Sequence, residues 1–426
     1  MRDTRLRLRL EYGVNGLDVD LPGERVTVIE PVFRPSLPDP HAALIGAIRA
    51  PLAGPPLREV THPGQTVAIS VCDITRAQPR REMLRALFEE MPAVRSSDIT
   101  ILIATGTHRT NTPAELETML GPEILGRYRV INHDSRDPWC LAYVGETTTG
   151  VPVFLNRAWM SADVRITTGF VEPHFFAGFS GGPKMIAPGL AALDTVLRLH
   201  DARRIGDPKA TWGITEGNPI HDDVREIARM TGVQFAVDVT LNRDQKITSV
   251  FAGDLLTEHR KACAAAKIDA MRSVAEPFDV VLTTNSGYPL DQNLYQAVKG
   301  MSAAAKVVKP GGTIICAAEC RDGLPAHGAY GRVLASQPTP ERLLAMINSP
   351  GYSLPDQWQV QIQAQIQMKA RVWVKTDGLR PEEVRAAHFE PVDDVSAAVC
   401  AALREAGTHA TLCVLPQGPQ TIPFIG

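Results

Sequence analysis

The sequence predicts an α/β protein built as two α/β domains with largely parallel sheets. Short apolar runs recur along the chain, and each ends in a polar loop that opens a helix with readable caps. The chain has 426 residues, more than a single hydrophobic core usually serves. Its composition, 44% hydrophobic and 21% charged, is that of a soluble globular protein. A formal net charge of −3 gives no bulk attraction to nucleic acid or to a membrane surface.

The elements follow in order. Residues 1–10 alternate charge and leucine, which predicts a strand with one wet face and no secretion signal. The proline-rich stretch 31–56 predicts surface loops. The run 67–71 reads as a buried strand leading into the loop Cys72-Asp73-Ile74-Thr75-Arg76, and a helix with Met83, Leu84, Leu87 and Phe88 on one face follows. The strand 99–104 leads into Thr105-Gly106-Thr107-His108-Arg109. Thr112, Pro113 and Glu115 then give an N-cap, a first-turn proline and a side chain that reaches back, and Gly121 closes that helix. The strand 164–168 leads into the run 169–184, and the next helix sets Leu193, Val196, Leu197 and His200 on one stripe.

A second α/β domain is expected to begin near Ala275, so that residues 1–270 and 271–426 form the two domains, the last residues being able to pack back on the first. Its first strand is 278–284. Asp291 is the expected N-cap of a helix carrying Tyr295, Gln296 and Lys299, with Tyr295 and Lys299 on one face. Pro310-Gly311-Gly312 turns into the strand 313–316, and helices start at Thr339-Pro340-Glu341 and Pro381-Glu382. The glutamine-rich stretch 357–369 predicts a polar helix face. No apolar run is long enough to span a bilayer. The 7 cysteines are scattered, which predicts reduced thiols in a cytoplasmic protein rather than a disulfide frame or zinc knuckle.

Parallel α/β sheets bind ligands beyond the carboxyl ends of their strands. Asp73, Arg76, His108 and His174 each lie just past a predicted strand end, so one site is expected to gather them. His108 and His174 suit paired acid–base work, because imidazole titrates near neutrality. A base on each face of a carbon is what inversion of a centre needs; two unrelated loop histidines are the alternative. Asp73 and Arg76 form either an ordinary surface pair or a histidine-orienting carboxylate with a carboxylate-gripping guanidinium.

Lys184 follows Ser180-Gly181-Gly182-Pro183. It is either a solvated lysine or a counter-charge or covalent anchor beside a phosphate-approaching loop. The Walker spacing is absent. His200 is either a core histidine or a metal ligand, and one imidazole cannot hold a metal without further ligands, such as those of an organic cofactor. Tyr295, Gln296 and Lys299 form either a carboxylate contact or a solvated face, and Trp358 either a pocket wall or partial core. His41, His62, His133, His221 and His327 receive no role.

Taken together, Asp73-Ile74-Thr75-Arg76, Gly106-Thr107-His108-Arg109, Pro173-His174, the run 177–184, His200 and Tyr295-Gln296-Ala297-Val298-Lys299 resemble the lactate racemase family, the nickel-pincer nucleotide enzymes. The resemblance extends from about Val67 to Gly300. It implies an active site in the cleft between two α/β domains and a racemase or epimerase of 2-hydroxy acids that works by proton-coupled hydride transfer. It implies nickel in a pyridinium mononucleotide pincer, tethered to Lys184 by a thioamide and completed by His200 as metal ligand. His108 and His174 would be the two bases. Asp73, Thr75, Arg76, Gly178, Ser180, Gly181 and Gly182 would bind the cofactor. Arg76, Tyr295, Gln296, Lys299 and Trp358 would contact the substrate.

The same resemblance implies reliance on cofactor-assembly enzymes (a carboxylase, a sulfur transferase and a nickel-insertion protein). No nucleic-acid or membrane partner is expected. Phe175, Phe176, Tyr288, Tyr295 and Trp358 point to an apolar pocket for lactate or larger aliphatic or aromatic 2-hydroxy acids. Two other readings stay open from the residues: a non-catalytic nucleotide or nickel carrier, and an NAD-dependent 2-hydroxy-acid oxidoreductase. The second lacks a G-x-G-x-x-G after a strand at the expected place.

Overall fold

The computed structural model describes residues 5–325 and 328–426, so the first four residues of the opening strand and His327 lie outside the described residues. The chain divides into two compact units: Phe33–His200 with Pro208–Asp269, and Met1–Val32 with Asp201–Asp207 and Ala270–Gly426.

The first unit is built on strands β1 (Val67–Cys72), β2 (Ile99–Ala104), β3 (Arg129–Asn132), β4 (Val164–Phe170), β5 (Phe235–Leu241) and β6 (Ile247–Gly253). Their order is β6-β5-β4-β1-β2-β3, and every neighbouring pair is parallel except β5 with β6. β1 is buried along its whole length and feeds a core on each face. Val67, Ile69 and Val71 pack with Met83, Leu84 and Leu87, while Ala68 packs with Leu102, Trp159 and Leu190. Covering both faces is what makes this strand a continuous apolar run.

Helix α1 (Arg80–Glu89) turns Met83, Leu84 and Leu87 inward, as their spacing predicts. Helix α2 (Pro113–Leu120) begins with the Thr112–Glu115 capping box and stops at Gly121. Helices α3 (Leu193–Leu199), α4 (Pro219–Thr231) and α5 (Leu255–Ala270) follow. The chain runs outward from β1 through β2 and β3, then returns to β4 on the other side of β1. The carboxyl ends of β4, β1 and β2 therefore flank the reversal of strand order, where α/β sheets take their ligands.

The second unit holds β7 (Phe278–Thr284), β8 (Val308–Ala317), β9 (Arg371–Lys375), β10 (Glu390–Pro391) and β11 (Leu412–Leu415) in an all-parallel sheet. The order is β10-β9-β8-β7-β11, and the short strand Val26–Val28 adds to β11. Leu10, Leu21, Val280, Leu282 and Val414 share its core. The opening strand Arg5–Leu10 alternates exposure as expected and pairs antiparallel with Leu17–Pro22. Helices α6 (Leu294–Ala304) and α7 (Gln357–Lys369) pack in this unit.

Four details depart from the sequence reading. Residues 1–32 and 201–207, expected in the first domain, belong to the unit of 270–426, and the last strand Ile422–Ile425 pairs with Met271–Val274 of that same unit. Such sheet-edge pairings are non-local and leave no local pattern. The stretch 31–56 contains a helix, Pro40–Arg49, capped by Asp39 and burying Leu44 and Ile48. The cap of α6 is Asn293, while the Asp291 carboxylate accepts from the Gly13 and Glu319 amides at 2.8 and 2.9 Å.

The glutamines of α7 are not a wet face. Gln357, Gln359, Gln361 and Gln363 are buried, and the last three donate to the carbonyls of Tyr295, Ala202 and Ala387 at 2.6, 2.7 and 2.9 Å. All 7 cysteines are free thiols. Among the described residues, no helix is long and apolar enough to cross a membrane.

Candidate active site

β1 leads to Asp73 and β2 leads to His108. The buried Asp73 carboxylate lies 2.6 Å from His108 Nδ1 through one oxygen and accepts the Thr75 hydroxyl at 2.7 Å through the other. Arg80 of α1 donates to the Cys72 carbonyl at 2.7 Å and to the Asp73 carbonyl, which ties the loop down. Burial pushes the Asp73 carboxyl up, but His108, Thr75 and the Arg76 charge outweigh it and hold Asp73 below the usual carboxylate range. An ionised carboxylate can only accept. His108 therefore carries a proton on Nδ1, and in the neutral ring Nε2 is its basic nitrogen.

β4 leads to His174, which sits on a two-residue hairpin with Gly178–Phe179. Its Nδ1 accepts the Ala177 N–H at 3.3 Å. In the neutral ring the proton must then reside on Nε2. His108 and His174 thus stand in opposite tautomers. Phe176 meets both His174 and His200 edge-on, with ring centroids 4.5 and 5.1 Å away. His200 is the C-cap of α3 rather than a residue within it. Its backbone N–H and its Nδ1 both donate to the Val196 carbonyl, at 3.0 and 2.7 Å. That second bond leaves Nε2 as the unprotonated nitrogen, the one a metal takes.

Lys184 lies on a single 3-10 turn, Gly182–Met185. Gly181 and Gly182 have φ of 71° and 51°. A side chain at Gly181 would press on the Phe170 carbonyl, and one at Gly182 would enter the His259 ring. The Ser180 amide donates to Glu172 O at 2.9 Å, Gly182 to Asp238 Oδ2 at 2.7 Å and Lys184 to Gly181 O at 3.1 Å. The Ser180 hydroxyl donates to Phe170 O and accepts from the Glu172 amide. These amides are committed within the protein, and Gly178, Gly181 and Gly182 answer to close packing, Gly178 against the Ile214 carbonyl.

Beneath the turn, burial raises Asp238 to about 7 and Glu258 well above the usual range. Beside it, His221 and His259 stack at 5.5 Å. Burial keeps both neutral, with His259 lowered to about 4.

The loops converge on the lysine turn. The Ser70 hydroxyl of β1 donates to Met185 O at 2.9 Å, and Cys72 Sγ lies 3.6 Å from Met185 Sδ. The Gly106 amide donates to Gly189 O at 2.9 Å, and the Gly189 amide to Lys184 O at 3.1 Å. The strand carrying Asp73 and the loop carrying His108 are therefore bonded to the segment of Lys184.

In the other unit, Tyr295, Gln296 and Lys299 are half-buried on α6. Trp358 Nε1 donates to the Tyr295 hydroxyl at 3.3 Å. Tyr288 is exposed, with the Arg321 guanidinium 4.4 Å from its ring centre. Sequence reasoning missed Asn218, His221 and His259, which grip the loop after His174 through its backbone carbonyls. The Gly217-Asn218-Pro219 start of α4 was the one available signal, and it speaks of a cap rather than a site. Among the described residues, no three His, Cys, Asp or Glu side chains gather as a metal site.

A bare Nε2 on His108 suits taking a proton from a molecule, and the Nε2–H of His174 suits donating a hydrogen bond to one. The chain belongs to the lactate racemase family. It matches the lactate racemase N-terminal domain over residues 12–213 and the lactate racemase C-terminal domain over residues 274–422. It is 34% identical over 422 residues to the lactate racemase of Thermoanaerobacterium thermosaccharolyticum, covering 97% of this chain and 98% of that one. It is 36% identical over 371 residues to the lactate racemase of Lactiplantibacillus plantarum, covering 86% and 87%. The structure of the T. thermosaccharolyticum lactate racemase apoprotein superposes with a TM-score of 0.92, covering 98% of this chain and all 100% of that one. A Thermotoga maritima protein at 18% identity and TM-score 0.68, covering 92% and 100%, shares the fold.

Proposed function

We propose that this isomerase interconverts the two hands of 2-hydroxy acids of the lactate type. The Asp73–His108 pair, a base held beside a buried counter-charge, carries this reading, and the relatives named lactate racemase support it. A nickel-pincer nucleotide fits the residues on two counts. His200 offers one imidazole nitrogen fixed by its Val196 bond, which matches a metal whose remaining ligands come from the cofactor. Lys184 stands on a turn with its own backbone bonds satisfied. When bound, that group would supply a hydride acceptor.

The chain's own residues do the rest. His108 Nε2 takes the hydroxyl proton of one hand, and Asp73 steadies the imidazolium that forms. His174 donates a hydrogen bond from Nε2–H to the oxygen on the other side and gives it a proton only from the imidazolium form, ending as the neutral ring, so that each turnover passes one proton to His108 and one from His174. Arg76 supplies positive charge for the carboxylate. Contact of Tyr295, Gln296, Lys299 and Trp358 with substrate is part of the same proposal.

The test is to co-express the chain with a carboxylase, a sulfur transferase and a nickel-insertion protein, then measure intact mass, nickel content and lactate interconversion. The expected result is an adduct on Lys184, nickel near one per chain, and racemisation without added NAD. Lys184→Ala loses the adduct, while His200→Ala keeps the adduct and loses nickel. Loaded protein with no exchange of the substrate α-hydrogen overturns the proposal in favour of a carrier. Turnover that requires NAD overturns it in favour of an oxidoreductase.

A further inference from the structure

We infer that Asn218 is a positioning residue that fixes the tautomer of His174 through the peptide group joining Phe176 to Ala177. The inference rests on the reading of His174 as an acid–base residue. Asn218 is fully buried and caps α4, where its Oδ1 accepts from the amides of Ile220 and His221 at 3.1 and 3.4 Å. That capping decides which end of the side chain is which, because only the oxygen can accept. The Nδ2 end then donates to Phe176 O at 2.8 Å and to Ile214 O at 2.9 Å.

Phe176 C=O and Ala177 N–H belong to one peptide group. A donor on its oxygen polarises the group and strengthens its N–H as a donor. That N–H is the one received by His174 Nδ1 at 3.3 Å. The other tautomer would set an Nδ1–H against the Ala177 N–H, with no acceptor between them. The path runs from the first turn of α4, through Asn218 and one peptide plane, to the imidazole.

Neighbouring carbonyls are held too, by other groups. His221 Nδ1 donates to Ala177 O at 3.0 Å, and His259 Nε2 to Ser180 O at 2.9 Å. Those bonds hold the loop in place. Asn218 alone among these three grips the peptide that touches His174.

The test reads the imidazole without any cofactor. Protein labelled with 15N-histidine gives two-bond proton–nitrogen correlations that separate protonated from bare ring nitrogens. The unaltered chain is expected to show His174 with Nε2 protonated and Nδ1 bare; a bare Nε2 there overturns the inference at once. Asn218→Ser and Asn218→Asp both keep a capping oxygen but lose the Nδ2 donor. In whichever of them keeps a cooperative thermal transition, the His174 signals are expected to lose the single-tautomer pattern while those of His108 stay unchanged.

In cofactor-loaded enzyme, kcat is expected to fall about tenfold to a hundredfold with KM within about twofold, since a misplaced acid–base group costs turnover more than binding. His259→Gln is the control: it disturbs the loop elsewhere and leaves the His174 tautomer alone. An unchanged His174 pattern in a folded Asn218 variant overturns the inference even if the chain racemises lactate. A shifted pattern in a chain without racemase activity upholds the positioning role and overturns the functional reading instead.

Discussion

Asp73 Oδ2 stands 2.6 Å from His108 Nδ1, with the carboxylate side chain 3% exposed and the imidazole 46% exposed. A buried anion thus orients a ring that reaches solvent. Two parallel strands that are neighbours in the sheet bring together residues 35 apart in sequence. The pairing gives His108 a fixed tautomer and a counter-charge for the imidazolium state.

Replacing Asp73 with Asn is therefore expected to leave the fold intact and lower kcat by about 10²- to 10⁴-fold, the range of a lost acid–base contribution. Asn can turn its amide toward His108 and favour the opposite tautomer. Circular dichroism should match the parent, and two-bond nitrogen correlations should show His108 Nδ1 losing its proton. Full activity in the Asn variant would leave Asp73 with a packing role alone.

His259 gives stability a dependence on pH. In the unfolded chain a histidine takes its proton near pH 6.5, whereas burial delays this to about 4 in the fold. The unfolded state binds more protons between these values, so stability is lost as pH falls from about 6.5 to 4. His259→Gln should show a smaller drop in unfolding free energy, read from urea titrations at pH 7 and 4.5, by roughly 1–3 kcal/mol. An identical drop in parent and variant would assign the slope to other groups.

Asp238 runs the other way. Its folded value is raised to about 7, so the folded state holds a proton that the unfolded state has given up, and stability falls as pH rises toward 7. Asp238→Asn keeps an acceptor for the Gly182 amide and mimics the protonated acid. At pH 8 it should stabilise the fold on the order of 1–3 kcal/mol, while near pH 4 it should be close to neutral. Thermal unfolding at the two pH values separates these outcomes.

Gly182→Ala should destabilise the protein by about 2–4 kcal/mol, because the new methyl meets the His259 ring at a φ that disfavours L side chains. Adding His259→Ala should recover part of that loss and leave the part due to the backbone. A single variant as stable as the parent would mean that the stacked histidines move aside freely.

Much of the frame is local and was legible. The burial of β1 on both faces, the Thr112–Glu115 box and the strand ends before Asp73, His108 and His174 all follow from patterns within a few residues. The helix Pro40–Arg49 was hidden because its Asp39-Pro40 start lies among other prolines. The link from Asp73 to His108 could be listed among options but not chosen, since choosing it requires knowing that β1 and β2 are neighbours. Asn218, His221 and His259 were invisible for a different reason. They act on backbone carbonyls, and a carbonyl carries no residue identity to pair with.

The turn that carries Lys184 closes its hydrogen bonds upon the protein itself, at Ser180, Gly182 and Lys184. It behaves as a socket moulded in advance, not one shaped by its plug. On the proposed function, a chain without its cofactor would then remain a folded acceptor for it, so that loss of the group would end one working life of the enzyme without condemning the polypeptide.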